Sequence, residues 1–167
     1  MNTLLTELCE YLKVKPQYLE LLNERDTSDV WRQFAIWLLV DPDDGVLRFT
    51  NLGSLQYKAI NRVADLYIQD CKDADAWKEA YVAACAAASA AYAANSADAA
   101  AWCATSGAAY AANSAYAANS AWSATAATAA SAATAATAAS AAWCDTAYYE
   151  RMADKLIELI NAAPMMK

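Results

Sequence analysis

Apolar residues recur at helical spacing along most of the chain. Leu4, Leu5, Leu8, Tyr11 and Leu12 put one apolar face on a helix over 3–13. Pro16 suits the first turn of a second helix that runs through Leu22. Ser28 or Asp29 can cap a third helix, which carries Val30, Trp31, Phe34, Ile36, Trp37, Leu38 and Leu39. Its two tryptophans and its phenylalanine make it the candidate centre of the core. The run Asp41 to Gly45, DPDDG, stops that helix in a turn, and Val46 to Asn51 reads as extended. Ser54 then caps a long helix with the apolar stripe Leu55, Ile60, Val63, Leu66, Tyr67 and Cys71. A break falls at Lys72 to Asp75, where Asp73 or Asp75 can cap the next helix. Near the C-terminus, Asp145 caps a last helix whose core positions are Met152, Leu156, Leu159 and Ile160, and which ends before Pro164.

From Ala76 the pattern changes. Between Ala80 and Cys144 the only charged side chain is Asp98, and most of the rest is alanine. YAANSA occurs at 92–97, 110–115 and 116–121. A strict triplet follows: Thr125, Thr128, Ser131, Thr134, Thr137 and Ser140, each trailed by two alanines. Alanine is the best helix former because it loses no side-chain entropy on folding. The block therefore predicts helices, near 76–94, 97–105, 108–118 and 121–143, with Asn-Ser and Ser-Gly pairs at the breaks. A period of three slips about 60° per triplet on a helix of 3.6 residues per turn. The larger residues then wind around the helix and leave alanine on every face, so that close neighbours fit on several sides. Aromatic residues at the edges of the block fill the wider spaces between helices.

These patterns predict an all-α fold, a closely packed alanine-rich helical bundle or array. Leu/Trp-rich N-terminal helices (1–75) would support an alanine-rich body (76–167) within one compact domain of 167 residues. Hydrophobic residues make up 59% of the chain, yet mean hydropathy is only +0.08. The gap arises because alanine buries a single methyl, worth about 0.8 kcal/mol against about 1.5–3 for Leu or Phe. Such a core must draw its stability from many short contacts.

The formal net charge of −7 argues against a nucleic-acid partner, which needs a basic stripe, and against docking on an anionic membrane. It suits a basic protein partner. The alanine block is long enough to span a bilayer, but Asn-Ser pairs interrupt it and Leu, Ile and Phe are missing, so no membrane span is expected. The N-terminus lacks the positive region of a signal peptide. Five cysteines, Cys9, Cys71, Cys85, Cys103 and Cys144, form no metal-binding spacing, and there is no histidine. Free thiols in a cytoplasmic protein are expected, with no metal and no cofactor.

Asp41, Asp43 and Asp44 are the densest acids. They do not make a calcium loop, because the glycine falls one place early and Leu52 stands where a bidentate Glu belongs. They read either as a solvated turn or as an acidic contact for a partner. Asp98 reads either as a first-turn acid at a helix dipole or as a partner contact. Tyr92, Trp102, Tyr110 and Tyr116 are spacers in the alanine bundle or the lining of a ligand pocket. The Ser, Thr and Asn residues read as hydrogen-bonding glue between helices. An ice-binding array would want threonines 11 apart on one face, a spacing that Thr125, Thr128, Thr134 and Thr137 lack. No nucleophile elbow, phosphate loop or zinc pattern points to catalysis.

The helix 28–40, the DPDD turn, the helix from Ser54 and the block WKEAYVAACAAASAAYAA (Trp77 to Ala94) together resemble the alanine-rich immunity proteins of bacterial toxin systems and their relatives in phage genomes. The resemblance covers roughly 28–160 and rests on composition and on the rhythm of aromatics and alanines. Where many members carry Arg or His among their alanines, this chain carries Ser, Thr and Asn. The resemblance implies a compact helical protein that acts by binding, without catalytic residues. The expected function is then neutralisation of a toxin or host-defence component. The alternatives are sequestration of a small nucleotide and a structural or ice-binding role. A charge-free surface of this size also predicts self-association, with a homodimer as the default.

Overall fold

The computed structural model describes residues 5–6, 9–10, 12–93 and 146–166. Helices dominate, and no β-strand occurs among the described residues. The all-α expectation holds. Residues 5–6 and 9–10 are helical, and the turn after them returns the chain through Lys13 at φ 54°. Val14 N donates to the Cys9 carbonyl at 2.9 Å and Lys13 N to that of Glu10 at 3.1 Å, the paired bonds of a left-handed helix stop. Helix α1 follows at Pro16–Leu21, with proline in its first turn as expected. Next come α2 (Val30–Val40), a single 3₁₀ turn (Val46–Phe49), α3 (Leu55–Ile68), α4 (Ala74–Ala93) and α5 (Thr146–Ala162).

Helix α2 lies at the centre, between two cores. Its Phe34 and Leu38 face the first, with Leu5, Cys9, Leu22, Met152, Leu156 and Ile160. One position on, Ala35 and Leu39 face the second, with Val46, Ile60, Val63, Leu66, Tyr67 and Trp77. Of the aromatics expected at the centre, Phe34 is fully buried, whereas Trp31 and Trp37 are only partly covered. Trp37 stacks on Phe34, with centroids 5.8 Å apart at 24°. The four core positions read for the last helix, Met152, Leu156, Leu159 and Ile160, are all buried in the first core.

Helices α3 and α4 pack along a wedge. At the narrow end Ala59 meets Ala84 and Ala87. At the wide end Tyr67 meets Trp77 edge-on, with centroids 4.7 Å apart. The buried face of α4 is Trp77, Ala80, Ala84, Ala87 and Ala88, a helical stripe of one large residue and four methyls. Gln56 Nε2 donates to the Ala87 carbonyl at 3.1 Å across this contact.

Three expectations fail for local physical reasons. The segment from Val46 is a 3₁₀ turn, since Val46 and Leu47 both pack against the second core, which strand alternation would forbid. Leu55 leaves the apolar stripe of α3 and stands 63% exposed at its first turn. Cys71 lies beyond that helix, which ends at a second left-handed stop: Asp70 has φ 48° and Cys71 N donates to the Leu66 carbonyl at 2.9 Å. Among the caps, Ser54 accepts from Tyr57 N at 3.0 Å, as expected. Asp73 accepts from Asp75 N at 2.9 Å, also as expected. At α2 neither Ser28 nor Asp29 caps through its side chain. The expected helices 97–105 and 108–118, and the cap at Asp145, lie outside the described residues, as does 121–143.

Candidate functional site

The DPDDG turn is held from three sides. The Asp41 carboxylate accepts from Asp43 N at 3.0 Å and Asp44 N at 2.9 Å, an Asx-turn that spends its charge on the backbone. Gly45 N closes the loop on the Asp41 carbonyl at 2.8 Å. A Cβ at Gly45 would collide with the backbone N and O of Asp41, so only glycine permits so tight a closure. Asp44 reaches across the molecule to Arg151 on α5, Nε to Oδ1 at 2.6 Å. Its side chain is only 18% exposed. Asp43 remains exposed at the tip, with Pro42 beside it.

The three acids therefore have three jobs. Asp41 shapes the turn, Asp44 anchors it, and Asp43 faces outward. Arg151 was missed by sequence reasoning, because the pair spans 107 residues and leaves no spacing signal. Of the other expected site residues, Tyr92 lies in the last turn of α4. Asp98, Trp102, Tyr110 and Tyr116 lie outside the described residues, so the expected aromatic pocket does too.

A second polar region lies at the other end of α2. Met166 N donates to the Glu24 carbonyl at 2.9 Å and Asp26 N to that of Pro164 at 2.7 Å, bracketing an antiparallel bridge between Arg25 and Met165. Arg25 Nη1 donates to the Ala163 carbonyl at 2.8 Å, at the C-terminal end of α5, where a cation is favoured. The Asp26 carboxylate accepts from Ser28 N at 3.2 Å. The Ser28 bonds hold its carboxyl below the usual carboxylate range. On the first turn of α2, Arg32 grips Asp29 through Nε and Nη2, and Gln33 adds a third bond. The Arg32 bond is the chief cause that holds Asp29 below the usual range.

Cys9, Cys71 and Cys85 are free thiols. Burial, with Glu10 nearby, pushes the Cys9 thiol up to about 11. No cluster of His, Cys, Asp or Glu able to hold a metal occurs among the described residues. No helix among them is long and apolar enough to cross a membrane.

No known protein-family model, curated protein or solved structure matches the chain.

Proposed function

We propose that this chain is a non-enzymatic binding protein of bacterial or phage origin that neutralises a toxin or host-defence component. The observation that carries the reading is the DPDDG turn. It is an acidic corner whose shape is set before any partner arrives, by the Gly45 closure, the Asp41 Asx-turn and the Asp44–Arg151 anchor. A preformed contact avoids the ordering cost that a loose loop pays on binding. Asp43, exposed at the tip, offers its carboxylate to a basic patch, and a chain of net charge −7 steers such a partner inward. The working compartment in this reading is the cytoplasm, where the free thiols of Cys9, Cys71 and Cys85 stay reduced.

Native mass spectrometry of the protein purified from a bacterial host, with and without phage infection, tests the proposal. The expected result is one basic protein retained at fixed stoichiometry by the wild type and lost from Asp43→Asn. Asp43 is solvent-exposed, so the substitution leaves the fold alone. Retention of no protein with or without infection, or equal retention by D43N, overturns the reading.

A further inference from the structure

The outer faces of α3 and α5 carry opposite charge. On α3, Leu55, Lys58 and Arg62 follow one another at helical spacing, so they share one face, and all three are exposed. Leu55 is 63% exposed and the nearby Leu52 85%, more than any other large apolar residue among those described. On α5, Glu150, Asp154 and Glu158 recur every four residues and are likewise exposed, with the partly buried Ile157 beside them. Among the described residues Lys58 and Arg62 pair with no carboxylate, and Glu150 and Asp154 with no cation. Helix α5 packs on the first core and α3 on the second, with α2 between them. The two stripes therefore do not serve each other within one molecule.

Their spacings match. Laid antiparallel, α3 and α5 bring Arg62 to Glu150, Lys58 to Asp154 and Leu55 to Ile157 in a single register. Each of these contacts falls about one turn from the next, since both helices have about 3.6 residues per turn. Asp65, the acid on the same face of α3, then meets position 147, an alanine. Other alignments do worse. A parallel pairing of Lys58 with Glu150 sets Asp65 against Ile157, and one of Lys58 with Asp154 sets Leu55 against Arg151. An antiparallel shift by one turn calls on Glu158 and Arg151, which Lys155 at 2.8 Å and Asp44 at 2.6 Å already hold.

We propose that these stripes form a contact between two copies of this chain, α3 of one lying antiparallel on α5 of the next. Opposite charges select the partner and the register, and Leu55 against Ile157 supplies the apolar end of the contact. The two sides are different patches, so association is head-to-tail. The net charge of −7 opposes it at long range. Physiological salt, with a Debye length of about 8 Å, screens that repulsion more than it screens touching pairs. The contact is small and exposed, and binding is correspondingly weak. It uses other residues than the charge-free block from which the sequence predicts self-association. It stands whether or not the acidic turn takes a partner.

Sedimentation equilibrium of the full chain at physiological salt, over a concentration series reaching about 1 mM, tests the contact. The wild type is expected to gain mass with concentration. K58E/R62E sets acid against acid and E150K/D154K base against base, and each alone should stay monomeric. E150K/D154K also lowers the net negative charge, so its loss of association does not come from general repulsion. The four side chains are exposed, and circular dichroism checks that both variants fold. An equimolar mixture of the two sets opposite charges against each other again, and association should return. Should a reversal unfold the chain, Arg62→Gln and Glu150→Gln take its place, and each should weaken association. Leu55→Gln leaves every charge in place and should weaken it severalfold. A wild type that stays monomeric at every concentration, variants that associate like it, or a mixture of the two reversals that remains monomeric would each overturn the proposal.

Discussion

The core around Phe34 and Leu156 and the seam between α3 and α4 hold helices together in opposite ways. The first buries long side chains from the N-terminal helices, α2 and α5. Each brings a large apolar area out of water, and the helices stand apart by the length of those chains. The second closes on methyl groups, Ala59 against Ala84 and Ala87. Little area is gained per residue there, but the backbones approach closely and dispersion contacts run along both helices. A core of long side chains loses most when a residue is shortened; a seam of methyls loses most when one is lengthened.

Leu156→Ala tests the first statement most severely. Leu156 is fully buried, and truncation should cost about 2–5 kcal/mol in denaturant unfolding. A cost below that range would mean that the neighbouring side chains collapse into the space. The same burial governs cysteine chemistry. Cys9, fully buried in this core, should react with a maleimide at pH 8 far more slowly than the partly exposed Cys71 and Cys85. Its thiol pKa of about 11 lies above the ordinary 9.0. The unfolded chain therefore ionises first, and native stability falls as pH climbs from 9 towards 11. Equal labelling of the three thiols at pH 8 would show a first core open to solvent.

The seam calls for the opposite substitution. Ala84 is fully buried, and Ala84→Leu should destabilise by about 1–3 kcal/mol through overpacking. If A84L instead raises the melting temperature, the seam has spare volume and the contrast fails. Smaller again is the cap of α3, where Ser54→Ala should cost about 1 kcal/mol. Last comes Asp44→Asn. The Asp44–Arg151 pair is partly exposed, with Arg151 at 40%, so the loss should be at most about 1 kcal/mol and should shrink at high salt. A loss that salt leaves unchanged would assign the anchor to packing rather than to charge.

Periodicity makes the helices legible, and on its own it assigns Phe34, Ile60, Val63, Met152 and Ile160 to the core, where all five are buried. The side chains of these residues face one way along a helix, and that is what spacing records. Spacing does not reveal which of two cores each side of α2 meets, nor that Trp77 fills the wide end of the wedge. Val46 and Leu47 mislead because a short segment with only Val46, Leu47 and Phe49 apolar fits a strand or a single turn equally well. The acids of the DPDDG turn are visible as a cluster, but their division of labour is not, since Arg151 arrives from a distant helix. Arg25 carries no signal at all, because its partner, the Ala163 carbonyl, is brought to it only by folding.

The clasp between the Glu24–Asp26 turn and the 164–166 segment ties early-made residues to late-made ones. Leu22, Val30 and Phe34 leave the ribosome long before the residues that cover them, Met152 to Ile160. The second core has no such wait, because α3 and the start of α4 follow α2 directly. The nascent chain thus completes one half while the other stays open, and Phe34 depends on late arrivals for shelter. A chaperone that recognises exposed Leu and Phe would find its longest opportunity there.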